Sequence, residues 1–288
     1  MKINLAFSTC PNDTFMFDAL VNKRIDLLDM EFTVDLADIH QLNQLAFEGK
    51  MDMIKISYNT FAQIQNEYDL LDSGSALGFG CGPLLIAKPG TDLSSLKANN
   101  ARIAIPGKNT TANLLLSFFA PELQNRVEML FHEIMPAVIS GQVDAGLIIH
   151  ENRFTYAQHG LVQLADLGTF WEDKTGLPIP LGAIVVRKNL PETIRRKLAT
   201  LMQKSVEFAF EFPEVSMPFV RKHAQEMEEE IMQAHIKLYV NEYSISLGKK
   251  GLDAICTLLK EGEKAGHFKA GTATAFAGPV YPQKTINA

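Results

Sequence analysis

Two stretches of this chain repeat one script, and that repeat limits its possible folds more than any other feature. In the first stretch, Ile3 to Phe7 reads as a short buried strand, followed by the polar turn Ser8-Thr9-Cys10-Pro11-Asn12-Asp13. A helix is expected over Thr14 to Val21 and a second strand over Phe32 to Leu36. Asp38 can cap the next helix, with Gln41 three residues on as in a capping box. Its apolar face is Ile39, Leu42, Leu45 and Ala46. Gly49 ends it, and Met51 to Ile56 is the third expected strand.

The second stretch runs through the same steps. Arg102 to Ile105 is a strand, Pro106 to Thr111 a polar turn, and Ala112 to Phe119 a helix. Glu128 to Phe131, Ile134 to Ile139 and Ala145 to Ile149 supply the next strand, helix and strand. Gly49-Lys50-Met51-Asp52 and Gly141-Gln142-Val143-Asp144 set the same Gly-x-x-Asp before each third strand. Alternating strands and helices imply parallel pairing. The period is far longer than the ~20–50 residues of a solenoid repeat, so the repeat marks two similar lobes.

The joints are visible too. Ser73 to Pro83 is rich in glycine and leads into the strand Leu84 to Ala87, then the break Lys88-Pro89-Gly90. Leu181 to Arg187 is a second long strand able to return the chain to the first lobe. Beyond Pro191 the pattern is helical, with apolar stripes at Ile194, Leu198, Leu201 and Met202, at Met227, Ile231, Ala234 and Leu238, and at Leu252, Ile255, Leu258 and Leu259. The expected fold is α/β and two-lobed, of the type II periplasmic-binding-protein-like kind. Each lobe is a mainly parallel sheet flanked by helices, and two hinge strands join them. Residues 1–88 with 188–288 form the first lobe and 89–187 the second, with the active site in the cleft between.

Composition narrows the function classes. The 288 residues are 47% hydrophobic and 21% charged, with a net charge of -6. No basic run marks nucleic acid or a membrane surface as a partner, and no apolar run approaches the ~20 residues that span a bilayer. Cys10, Cys81 and Cys256 are sparse and odd in number, which fits a reducing compartment. The apolar stretch at the N-terminus is too short for a signal peptide. A cytoplasmic protein is expected; its oligomeric state is not legible.

Ligands of open α/β sheets bind beyond the carboxyl ends of the strands. That rule selects Asn12, Asp13 and Thr14 with Lys55, Ser57 and Asn59 in the first lobe, and Asn109, Thr110, Thr111 and His150 in the second. The turn Gly107-Lys108-Asn109-Thr110-Thr111 opens a helix, whose free N–H groups favour an anion; the plainer reading is a helix cap. His150 titrates near neutral pH and suits proton abstraction, against the plainer reading of a histidine satisfied at a strand end. Glu151 follows it, but consecutive strand residues point to opposite faces. Lys55 inside a strand needs a partner such as Asp13 or Asp52. Ser57 lacks a nucleophile elbow. His132, His159, His223, His235 and His267 are scattered without HExxH or Cys–His spacing, so no metal site is expected. Phe170 and Trp171, with the expected loop Glu172 to Pro180, either rim the cleft or serve interlobe or surface packing.

The stretch Ser8-Thr9-Cys10-Pro11-Asn12-Asp13-Thr14-Phe15-Met16-Phe17 resembles the 1,4-dihydroxy-6-naphthoate synthase family of the futalosine route to menaquinone. So do Asp52 to Ser57, Ile105 to Ala112, Asp144 to Glu151 and His235 to Ser244, which together reach across nearly the whole chain. Thr9 departs from the family, which often has proline there. The resemblance implies a cofactor-independent lyase that cleaves cyclic dehypoxanthinyl futalosine, a small carboxylated substrate, to 1,4-dihydroxy-6-naphthoate. It also implies that His150 is the general base. Two alternatives stay open: a non-catalytic solute-binding protein, which needs no base, and the paralogous chorismate dehydratase.

Overall fold

The computed structural model describes residues 1–224 and 228–282. Its strands are β1 (Lys2–Phe7), β2 (Glu31–Leu36), β3 (Met53–Ser57), β4 (Tyr68–Leu70), β5 (Ala76–Gly78), β6 (Leu84–Ala87), β7 (Ile103–Ile105), β8 (Arg126–Glu128), β9 (Ala145–Ile148), β10 (Val162–Asp166) and β11 (Ile179–Arg187). One sheet has the order β2-β1-β3-β11-β4, with β5 also paired to β11. Read from its far edge, the other is β8-β7-β9-β6-β10. The repeat is therefore real in three dimensions. Each lobe centres on a parallel trio in the order second, first, third strand.

The sheets are mixed where mainly parallel ones were expected. In each, the strand beside the trio runs antiparallel to it: β11 against β3, and β6 against β9. These are the two joint strands, and each comes from the far side of a crossing. β6, within the expected 1–88, pairs in the second sheet, and β11, within the expected 89–187, pairs in the first. The chain crosses within residues 79–83 and again within 167–178. The pairing of β11 is the return to the first lobe expected of Leu181 to Arg187, whereas strand pattern alone cannot reveal where β6 pairs, because a buried apolar strand reads the same in either sheet.

The Gly-x-x-Asp repeat has one physical meaning in both lobes. Gly49 and Gly141 close the helices Ile39–Glu48 and Phe131–Ser140 at φ +64° and +79°, a region that glycine enters without Cβ strain. The following aspartate then fastens the start of the lobe's first strand. Asp52 Oδ2 accepts from Asn4 N at 2.9 Å, and Asp144 Oδ2 accepts from Arg102 N at 2.7 Å. Asp38 caps as expected, accepting from the N–H groups of His40 and Gln41.

Three helices after Pro191 cover the first lobe. Glu192–Glu211, Pro213–His223 and Glu229–Tyr239 pack on the helix Pro11–Val21. Met16, Leu20, Leu198, Met202 and Val220 are fully buried there. The Met227 end of one expected stripe lies outside the described residues. Trp171 belongs to the helix Leu167–Thr175 and not to a loop. It is fully buried and donates from Nε1 to Pro178 O at 3.0 Å, which favours packing over a cleft rim. No helix among the described residues is long and apolar enough to cross a membrane.

Candidate active site

The carboxyl ends of the two parallel trios face each other across one cavity. Ser8, Asn12, Asp13, Lys55 and Ser57 line it from the first lobe, and Thr110, Thr111, Ala112, Ile149 and His150 from the second. Ile39, Ala76, Cys81, Pro83, Leu181, Gly182 and Tyr239 complete the walls. This mixture of apolar wall and convergent polar groups is typical of a small-molecule site.

The first-lobe side is one connected network. The helix starts at Pro11, three residues earlier than expected, because proline is preorganised for a first helical position. That brings Asn12 and Asp13 into the first turn. Lys55 Nζ donates to Asp13 Oδ1 at 2.6 Å, with both side chains almost wholly buried. Ser8 Oγ donates to Asp13 Oδ2 at 2.7 Å, and Asn12 Nδ2 donates to Oδ1 at 2.9 Å. A buried ammonium is thus held by a carboxylate whose other lone pairs are also used. Gly182 lies against it, and a Cβ there would stand 2.6 Å from Lys55 Cε. Ser57 Oγ accepts from Asn43 Nδ2 at 3.1 Å, which leaves its hydroxyl hydrogen for an acceptor in the cavity.

The second-lobe side opens on the helix Thr111–Phe119. Its first N–H groups have no intrahelical partner, and those of Thr111 and Ala112 form a donor set for an anion. The two threonine hydroxyls are occupied elsewhere. Thr110 Oγ1 donates to Gly107 O at 2.7 Å and accepts from Asn113 N at 3.2 Å. Thr111 Oγ1 donates to Leu181 O at 2.8 Å and accepts from Asn59 N at 3.3 Å. Thr111 therefore ties the lobes together, as do Asn59 Nδ2 to Thr110 O at 3.1 Å and Thr60 Oγ1 to Asn109 O at 3.0 Å.

His150 follows β9 with φ +59°, a left-handed backbone that residues other than glycine rarely adopt. Such strain is often stored where a side chain must be aimed. The ring packs edge-on to Phe131 at 5.0 Å and lies parallel to the ring of His235 at 5.8 Å. Burial lowers its pKa to about 4, helped by the Lys55 ammonium and opposed by Asp13. The imidazole is consequently neutral at physiological pH. Cys10 lies nearby, but burial and the Glu151 and Asp13 carboxylates hold its thiol well above the usual range, so it is no thiolate nucleophile.

Comparison with known proteins gives this geometry a context. The sequence model of the family described as menaquinone biosynthesis matches residues 3–264. The chain belongs to that menaquinone-biosynthesis family. A Thermus thermophilus relative named 1,4-dihydroxy-6-naphthoate synthase is 44% identical over 92% of this chain and 95% of its own. One from Streptomyces coelicolor with the same name is 42% identical over 96% and 98%. A solved Archaeoglobus fulgidus protein superposes with a TM-score of 0.85 at 32% identity, covering 93% of this chain and 98% of that one. The periplasmic aliphatic sulphonate binding protein of Escherichia coli aligns at a TM-score of 0.66 and 9% identity, over 97% and 93% of the two chains. That likeness shows the periplasmic-binding-protein-like fold alone.

Within this family member, the structure gathers most of the residues expected at the cleft: Asn12, Asp13, Lys55, Ser57, Thr110, Thr111 and His150. Thr14 and Asn109 do not line the cavity. Thr14 is fully buried and donates back to Cys10 O at 3.1 Å, and Asn109 serves through its backbone carbonyl. Asn43, Tyr239 and His235 were missed. His235 shares the buried face of the helix Glu229–Tyr239 with Met232 and Tyr239. The three- and four-residue spacing of that face was the available signal.

Proposed function

We propose that the protein is a 1,4-dihydroxy-6-naphthoate synthase that cleaves cyclic dehypoxanthinyl futalosine with His150 as general base. The observation that carries this reading is His150 itself: a strained, neutral imidazole aimed into a cavity opposite a buried Lys55–Asp13 pair. The substrate's aromatic carboxylate sits at the N–H groups of Thr111 and Ala112, with Ser57 as an added donor. His150 then takes a proton from a substrate hydroxyl. The oxygen's electron pair forms a carbonyl on the sugar-derived fragment, which leaves as the adjacent carbon–carbon bond breaks; that bond's electron pair passes into the ring system, whose aromatisation draws the reaction forward. Lys55 stabilises negative charge developing near it. The interlobe hydrogen bonds of Asn59, Thr60 and Thr111 close the cleft and exclude water. The chain's own side chains carry this chemistry, and the protein works in the cytoplasm.

Mass analysis after incubating the purified protein with the cyclic substrate, and separately with chorismate, tests it. Release of 1,4-dihydroxy-6-naphthoate from the first alone supports the reading. Dehydration of chorismate, or binding without turnover, overturns it.

A further inference from the structure

We propose that Cys10, His150 and Glu151 form an inhibitory site for a borderline-soft divalent cation such as Zn2+, which bridges the closed lobes. Cys10 follows β1 in the first lobe, and His150 and Glu151 follow β9 in the second, so the site exists only when the cleft is closed. One donor atom from each lies within 4.8 Å of the others. Tetrahedral zinc with bonds of about 2.0–2.3 Å brings neighbouring donors to within roughly 4 Å, a modest further approach. Cys10 and Glu151 are almost wholly buried.

A second observation points the same way. Asn12 Nδ2 donates to Asp13 Oδ1, so Asn12 Oδ1 is an acceptor, and its partner at 3.0 Å, His235 Nε2, carries the hydrogen. The Nδ1 atom of neutral His235 is then a bare lone pair. It is fully buried, has no hydrogen-bond partner among the described residues, and faces Glu151 Oε2 at 3.7 Å. That buried lone pair lies beside the three-donor cluster and turns further electron density toward a cation held there by Cys10, His150 and Glu151. Binding converts the Cys10 thiol to a thiolate and releases its proton to solvent, so affinity rises with pH. Occupancy also removes His150 from its proton-accepting role. That inhibition rests on the function proposed above, whereas the binding does not.

Calorimetric titration of the metal-free full chain with zinc chloride, alongside the spectrum of the cobalt-loaded protein, tests the site. One zinc per chain and a thiolate-to-cobalt charge-transfer band are expected. Cys10→Ser should weaken binding by about tenfold or more and abolish the band, and Glu151→Gln should weaken binding as well. Cys256→Ser, which changes the half-buried thiol on the helix Gly248–Lys264, should leave both unchanged. If Cys10→Ser fails to fold, retention of the band in Cys256→Ser and Cys81→Ser carries the assignment. Absence of stoichiometric binding, lack of the band, or its loss with Cys256 overturns it.

Discussion

At the scale of the residue, His150 joins two properties that pull against each other. Burial keeps it unprotonated, so it is always ready to accept a proton, yet the same burial makes it a weak base. A free imidazole would set the acid limb of kcat/KM near pH 6.5; with His150 held to about 4, activity should persist below pH 6 and fall only nearer pH 4–5. A rate profile taken where the fold is intact checks this, and an acid limb centred near 6.5 would contradict the burial argument. Thr111 presents a different case. Its hydroxyl bridges to Leu181 O, so Thr111→Val removes a contact between lobes and not a direct donor to the substrate. The loss of about 0.5–1.5 kcal/mol should raise Kd by roughly two- to tenfold for a carboxylate ligand and its amide analogue alike. An effect confined to the carboxylate would contradict this and show the hydroxyl donating to the anion. His150, Lys55 and Asp13 were legible in the sequence because each was a polar group at or near a strand's end. The engaged state of the threonine hydroxyls was not, since their partners Leu181 and Asn59 are remote in the chain.

At the scale of the element, the Gly-x-x-Asp pair shows how a short motif can fasten a whole unit. It ends a helix, turns the chain and pins the first strand of the trio through one carboxylate. Asp52→Ala should therefore cost about 0.5–1.5 kcal/mol, read as a lower denaturant midpoint with unchanged m-value. A neutral outcome would mean that the Asn4 hydrogen bond is replaced by water without loss. The repeat itself was legible because Gly49 and Gly141 sit where glycine alone is comfortable. The return of the chain to the first lobe through β11 was legible as well, but the pairing of β6 in the second sheet was not. Leu84–Ala87 is an apolar run with no local mark of which sheet it joins. Only pairing across the molecule decides it. The first turn of the helix Pro11–Val21 is polar and looks like a loop in the sequence, yet Pro11 begins the helix.

At the scale of the whole molecule, function depends on two lobes presenting complementary groups to one cavity. The same arrangement buries histidines, and that leaves a mark on stability. His150 and His235 bind protons less well when folded than when unfolded, both chiefly through desolvation. The unfolded chain therefore takes up more protons as pH drops below about 6.5, and stability falls with it toward about 4. Thermal melts across that window should show Tm declining in the wild type and declining less steeply in His150→Asn; parallel slopes would contradict the shift at His150. The role of His150 as the base is read from single-turnover formation of 1,4-dihydroxy-6-naphthoate by wild type and His150→Asn. Asparagine suits the test because it tolerates the left-handed backbone at this position, so folding should survive. A slowing of about 10²–10⁴-fold is expected, with ligand affinity little changed and the same circular dichroism as wild type. Near-normal turnover by a folded His150→Asn protein would contradict it.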